Sequence, residues 1–525
     1  MREKVLFFLQ TLYETFCLII SSSDVKIFLY QIYVLKIMKI NYKSLFNIIL
    51  GFIFFIGIIL RIHVYLLNRS FWHDECSLAI NILNGNIFSY FGVLEHLQSA
   101  PPIFMIASKA LYSMFTAFPE SALRFIPLLA GIFSLCFFYV LLKETITNKF
   151  IVLIGMFVFS VNFQLIYYAQ EFKQYSTDVL MVILALIYYS KYDFCINNLR
   201  QKICFAVITT VLPFISLPAI FVIVPALIFN FIKVKKENLK SFLLYCTPFL
   251  TLNLIYYFFT LKSSKQQMLS TMSQIWSSGF LSFDFSSNFL ILKNNILFCF
   301  LPCSWFYLAV ILAILGIILL IKRRNKNDIL LLSTFGLVIF ASFLQIYPIK
   351  ERVSLYLLPI ILIFILSSTE FNFKIKKIQA ILVTTVLLVF FSSYNLNYIF
   401  SIPKHQIFHR KDSRGVVLTL KEHYKPNEWV IINDASDSDF EFYGKYFNFI
   451  TPDLKYGRIA MQKYDKDWYF EVLNTLPKGN RYWLCYPYDY VNSPTIPFVK
   501  EWILKNAKIL YEYEKNSSYL VLIEY

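Results

Sequence analysis

The 525 residues are 58% hydrophobic and only 15% charged, which excludes an ordinary soluble protein, where charged residues make up about a quarter. The net charge of +17 is not spread evenly: residues 401–525 hold 17 Lys+Arg against 16 Asp+Glu, so the excess lies in 1–400. That placement excludes a nucleic-acid-binding surface and assigns the basic excess to membrane topology and anionic headgroups.

Residues 1–44 form an extension. Val5–Ile20 is apolar but short for a span, is interrupted by Glu14, and lacks a small-residue cleavage site, so it does not read as a signal peptide. Met38 opens Met-Lys-Ile-Asn-Tyr-Lys and reads as a second start, leaving 1–37 as an interfacial helix or as sequence upstream of the true start. The first span is Leu45–Leu67, long enough for a hydrocarbon core of about 30 Å. It runs directly into Leu67-Asn68-Arg69-Ser70-Phe71-Trp72-His73-Asp74-Glu75, read here as a loop. Adjacent carboxylates at a membrane surface are costly and usually serve a purpose. Cys76 beside them reads as a small buried thiol. The nine cysteines are scattered, with no metal-type pair and no dense disulfide framework. Pro101-Pro102 then opens a short apolar helix to about Phe118 that carries Lys109 and lies in the surface or re-enters.

Further spans follow at Arg124–Leu142, Phe150–Ala169 and Asp178–Ser190. Two more share Ile203–Ile232, broken near Pro213 and Pro218, where proline removes helix bonds. Ser241–Leu261 comes next, then a polar and aromatic stretch. The last spans are Cys303–Ile321, Ile329–Tyr347, Val353–Ser368 and Ile378–Tyr398. Lys/Arg bias orients them. Loops 143–149, 191–202, 233–240, 322–328 and 370–377 carry 16 basic residues in 42 positions, whereas 170–177, 261–302 and 348–352 carry 6 in 55. The first set is therefore expected in the cytoplasm. Eleven crossings then put the acidic loop and the C-terminal residues outside.

Residues 401–525 read as a small α/β domain. Trp429–Asn433 and Arg481–Tyr486 are expected strands, and Asp437–Phe447 and Thr495–Lys505 are expected helices. Ala507–Tyr513 and Ser518–Tyr525 alternate around Lys515-Asn516-Ser517, a hairpin signal. No nucleotide loop or nucleophile motif occurs in it, and no cofactor is expected. His405 and His409 are four apart, but no third ligand accompanies them, so an interfacial face is expected there and no metal.

With that topology four polar clusters converge on the outer face: His73-Asp74-Glu75, Gln98-Ser99-Ala100-Pro101-Pro102, Gln170-Glu171-Phe172-Lys173-Gln174-Tyr175, and Lys350-Glu351-Arg352 with Tyr356 and Pro359. Arg124 lies at the outer start of its span. A carboxylate can take the proton of a hydroxyl nucleophile, and Lys or Arg can hold a phosphate while it leaves. Singly, Lys350 and Arg352 fit headgroup snorkelling equally well.

The order of these motifs resembles a known family. Phe71-Trp72-His73-Asp74-Glu75 follows the first span, and the Pro101-Pro102 helix follows it. Next come Glu120-Ser-Ala-Leu-Arg124-Phe-Ile-Pro127-Leu-Leu-Ala-Gly131, Tyr168-Ala-Gln-Glu171-Phe-Lys173-Gln-Tyr175, and Glu351-Arg352 with Tyr356 and Pro359. Over roughly residues 45–400 this is similar to the bacterial membrane glycosyltransferases of family 39 type. These share the GT-C fold with protein O-mannosyltransferases and the aminoarabinose transferase acting on lipid A. The resemblance implies an all-α polytopic membrane protein with about eleven transmembrane helices over 45–400 and the small α/β domain at 401–525. It implies a polyprenyl-phosphate-linked sugar donor, inverting transfer on the extracytoplasmic side of the inner membrane, Asp74 as general base and Glu171 as the second acidic position. Lys173 stands where relatives commonly have Arg, and Ala100 where they often have His.

The expected activity is therefore transfer of a sugar to a glycan, lipid or protein acceptor in cell-envelope synthesis. Asp74 is the base, and Lys173, Arg352 and Arg124 act on the leaving phosphate. Tyr175 and Lys350 are further substrate contacts, and Glu75 either orients a partner or is passive. The rivals are a lipid-linked glycan flippase or transporter, which needs polar residues at mid-membrane depth, and an oligosaccharide ligase or polymerase.

Overall fold

The computed structural model describes residues 42–195, 198–266, 278–299, 306–370, 382–383, 385–386, 394, 396–405, 411–433, 436–449, 455–459, 466–487 and 495–525. Residues 1–41 of the expected extension, the loop beyond Glu370, most of the Ile378–Tyr398 span and His409 lie outside the described residues.

Among the described residues six helices are long and apolar enough to cross a membrane. They are Ser44–Leu66, Pro119–Thr145, Lys236–Gln266, Phe306–Arg323, Lys326–Phe343 and Glu351–Glu370. Lys149–Val161 and Leu217–Lys233 are shorter apolar helices, and Tyr175–Lys191 and Leu199–Ile215 have 17 residues each. Among the described residues these helices do not by themselves reach the eleven crossings expected, and the Ile378–Tyr398 span lies mostly outside them. Phe52 and Phe55 stay 62% and 60% exposed, as a face turned toward lipid requires.

One expected span is broken, and another begins as a 3₁₀ segment. Phe150–Ala169 is divided into Lys149–Val161 and Phe163–Tyr168. At the junction the Asn162 side chain accepts from Leu165 N at 3.1 Å and donates to the Cys299 carbonyl at 2.8 Å. The break leaves the last carbonyls of the first piece without helical donors. Arg61, fully buried in the first span, fills them: it donates to Ser160 O at 2.9 Å and to Phe159 O at 3.5 Å. Glu351–Leu357 is a 3₁₀ segment that passes into the Leu358–Ser367 helix. That helix meets Phe306–Arg323 so closely that a Cβ at Gly316 would run into the Phe364 carbonyl.

The stretch expected as an acidic loop begins a helix, His73–Asn84. Asp74 and Glu75 occupy its first turn, where the helix dipole favours negative charge, and Glu75 Oε2 accepts from Trp72 N at 3.4 Å. The helix after the paired prolines is Pro102–Met114. It packs against Pro119–Thr145 and leaves Met114, Phe115 and Phe118 at its end exposed, as a segment lying in the interface does.

The C-terminal part is a five-stranded sheet in the order β2-β1-β3-β5-β4. Its strands are β1 (Trp429–Asn433), β2 (Lys455–Ile459), β3 (Arg481–Tyr486), β4 (Lys508–Lys515) and β5 (Ser518–Glu524). β1 pairs in parallel with β2 and β3; β3–β5 and the β4–β5 hairpin are antiparallel. Four of these strands match the sequence expectation, while β2 and the helices Ser413–His423 and Lys466–Asn474 were not foreseen. One face of the sheet shares a core with the membrane part: Trp483, Leu520, Val417 and Phe442 pack in the same cluster as Phe71, Leu78, Phe104 and Phe172. Helix Asp437–Tyr446 lies along helix His73–Asn84.

Candidate active site

The site forms where the His73–Asn84 helix begins. Asp74, one-fifth exposed, pairs with Arg352 Nη2. Burial pushes its carboxyl up, but the charges of Lys173, Arg352 and His73 outweigh burial and hold it at about 2. Arg352 comes from the 3₁₀ segment just after Glu351, whose backbone is left-handed (φ 41°), a strained conformation for a side chain with a Cβ. The Arg352 guanidinium lies over the Trp72 ring at 5.2 Å and the Tyr175 ring at 5.9 Å.

Lys173 is 5% exposed and donates to Gln98 Oε1. Gln174 Nε2 donates to Ser99 O at 3.1 Å. The second and third sequence clusters therefore meet. Burial lowers the Lys173 ammonium, against the pull of Asp74. Glu171 is fully buried. The Tyr167 hydroxyl is its hydrogen-bonding neighbour, without ideal geometry, and Arg69 Nη2 is 4.0 Å away. Burial, and then the negative charge of Glu75, raise its carboxyl. A buried carboxyl left this weakly bonded costs stability and is a mark of functional sites.

Glu75 and Arg124 face each other. Arg124 Nε donates to Oε1 at 2.8 Å and Nη2 to Oε2 at 2.6 Å, the bidentate fork. Phe172 N adds a bond at 2.7 Å and Arg69 a contact at 3.3 Å. The remaining Arg124 donors go to the carbonyls of Arg69 and Ser70. Both side chains are almost sealed from solvent. Their partners hold the turn that presents Asp74, and four of the five Arg124 donors are taken. Lys350 donates to Ser278 Oγ at 2.9 Å, away from Asp74.

The sequence reading missed Arg69, Lys411 and Asp439. Arg69 lies inside the stretch quoted above; its Nε donates to Gln170 Oε1 at 3.0 Å, and its contacts with Glu75 and Glu171 tie the two carboxylates together. Lys411 and Asp439 come from the C-terminal part. Lys411 Nζ sits 4.3 Å from the Trp72 ring centroid. Asp439 Oδ1 accepts from Ser413 at 2.7 Å, and its Oδ2 is 3.8 Å from His73 Nδ1. Both lie more than 330 positions from Asp74 in sequence, so spacing carries no signal for them. Among the described residues no group of three or more His, Cys, Asp or Glu is placed to hold a metal.

Compared with solved structures, the chain is similar to ArnT from Cupriavidus metallidurans in the apo state, at 11% identity and a TM-score of 0.50, covering 92% of this chain and 97% of that one. The same protein bound to undecaprenyl phosphate matches at 12% identity and 0.48, over 92% and 98%. The oligosaccharyltransferase of Archaeoglobus fulgidus, in complex with Zn and sulfate, matches at 12% and 0.45, over 78% and 62%. No protein-family model matches the sequence, and no curated protein matches it. The likeness to apo ArnT establishes the fold, which is of the GT-C type.

Proposed function

We propose that this membrane protein is an inverting glycosyltransferase that takes a sugar from a polyprenyl-phosphate donor and delivers it to a hydroxyl of a glycan, lipid or protein acceptor on the extracytoplasmic side. The observation that carries the reading is the Asp74–Arg352 pair, with Lys173 beside it, at the end of a membrane span. One carboxylate and two cations at that depth match the two demands of the reaction. A hydroxyl must lose a proton, and a phosphate must depart with its charge stabilised.

The acceptor oxygen attacks the anomeric carbon while its proton passes to Asp74. The carbon–oxygen bond to phosphate breaks, and its electron pair leaves on the phosphate oxygen. Lys173 and Arg352 hold that developing charge. At rest Arg352 is occupied by Asp74, which keeps the carboxylate a weak base. Donor phosphate competes for Arg352, so donor binding frees Asp74 and raises its basicity just before it is needed. Glu75 and Arg124 position the turn, Glu171 with Arg69 completes the buried charge cluster, and Tyr175 supports the guanidinium.

The test compares lipid-linked and surface glycans by mass spectrometry in cells with the wild-type chain, with Asp74→Asn, and without the chain. The expected result is loss of one sugar and accumulation of its donor in the last two. Movement of a lipid-linked glycan without a new bond, or transfer of a preassembled block, would replace this reading.

A further inference from the structure

We infer that the C-terminal part completes the phosphate site: Lys411 and the Trp72 indole N–H, together with Arg352, hold the phosphate of the polyprenyl donor. The inference rests on the donor reading above and extends it to residues outside the membrane part.

Three observations carry it. First, Trp72 is contacted by cations from both parts of the molecule, Arg352 at 5.2 Å and Lys411 at 4.3 Å from its ring centroid. Second, Trp72 Nε1 is buried and has no hydrogen-bond partner among the described residues. An indole nitrogen can only donate, and a buried donor of this kind normally finds an acceptor. With an ammonium and a guanidinium against the same indole, the acceptor that fits is an anion. Third, the pocket is cationic. Arg69, Arg124, Lys173, Arg352 and Lys411 stand against Asp74, Glu75, Glu171 and Asp439; burial raises Glu171 and Asp439 toward their neutral forms and lowers Lys173 and, to about 8, Lys411. Glu75 is consumed by Arg124, and Asp74 by Arg352 at rest. Five basic side chains therefore face four acidic ones around Trp72, an arrangement that suits the phosphodiester of the donor and the monoester it releases.

A merely structural Lys411 would dock the C-terminal part on Trp72 and do nothing else. The test separates these roles. Binding of a long-chain polyprenyl monophosphate to the full-length protein in phosphatidylcholine nanodiscs is titrated for wild type, Lys411→Gln, Lys411→Arg and Trp72→Phe. Lys411→Gln should weaken binding about ten-fold and Lys411→Arg less than three-fold, the size of a charge-assisted bond lost or kept. Trp72→Phe keeps an aromatic ring under the cations but removes the pyrrole ring with its N–H; it should weaken binding about five- to ten-fold, more than any fall in melting temperature accounts for. Unchanged affinity in both Lys411→Gln and Trp72→Phe overturns the inference. If Lys173→Gln and Arg352→Gln still weaken binding in that case, the donor reading stands without it. If none of the four does, the donor reading falls as well. Phosphatidic acid competing as well as the prenyl phosphate would also overturn it, by assigning the site to bulk lipid headgroups.

Discussion

Asp74 starts the proposed cycle ion-paired, and that pairing sets a pH signature. The free protein holds its carboxyl at about 2. In the donor complex Arg352 is shared with phosphate, so the carboxyl moves upward. Protonation removes the base, so activity falls as pH drops. The fall in kcat, which reports the complex, should therefore begin at a higher pH than the fall in kcat/KM for donor. Pre-steady-state and steady-state pH profiles of the purified protein check this; coincident acid limbs would contradict the exchange. Asp74→Asn should lose about 10²–10⁴-fold in turnover at unchanged stability. Glu75→Gln should behave differently. It breaks a buried pair and strands Arg124, costing about 3–5 kcal/mol, visible as a lowered melting temperature in detergent. Burial pushes the Glu75 carboxyl up, but Arg124 and Arg69 pull it below its ordinary value of 4.5. Its stabilising contribution is then complete above that value and drains away as pH falls beneath it. Glu75→Gln should flatten this acid-side loss.

Among the elements, helix breaks place the polar groups. Arg61 and Asn162 together let a span stop at Val161 and restart, which sets where Gln170–Lys173 emerges. Arg61→Met should strand the Phe159 and Ser160 carbonyls at a cost of about 1–3 kcal/mol per unsatisfied group, read as lower thermal stability and reduced transfer. Gly316→Ala should be worse tolerated than its size suggests, because the clash is with backbone. This scale also shows what the sequence could express. Alternating strands and turn residues made β1, β3, β4 and β5 legible, and hydropathy marked the polar clusters at the ends of apolar segments, of which 98–99 and 173–174 meet in the fold. Helix His73–Asn84 was not, because a first turn of His-Asp-Glu reads as polar loop until its partners are known. Nor was the Glu75–Arg124 pair: both residues carried the marks of substrate contacts, and only the fold shows them turned toward each other. Lys411 and Asp439 depend on a docking surface that no local pattern encodes.

For the molecule as a whole, the two parts are joined by one core and by polar ties. Tyr443 is the most economical of these: its hydroxyl accepts from Phe71 N at 2.7 Å and donates to Glu120 at 2.8 Å. Tyr443→Phe should cost about 1–3 kcal/mol and loosen the helix that carries Asp74, lowering turnover along with stability. Ser77 and Ser70 add bonds on either side, donating to Ser438 and Asp412. The backbone beside Lys411 is itself fixed from the far end of the chain. Asp412 N donates to Ser518 Oγ at 2.8 Å, and its carboxylate accepts from Tyr513 at 2.7 Å and pairs with Lys515 at 2.8 Å. This closure has a bearing on biosynthesis. A ribosome has inserted every membrane helix well before it reaches Ser518, yet the pocket wall still lacks its anchor at that moment. On the proposed reading, then, the wall that carries Lys411 is complete only once the β4–β5 hairpin at the far end of the chain has folded.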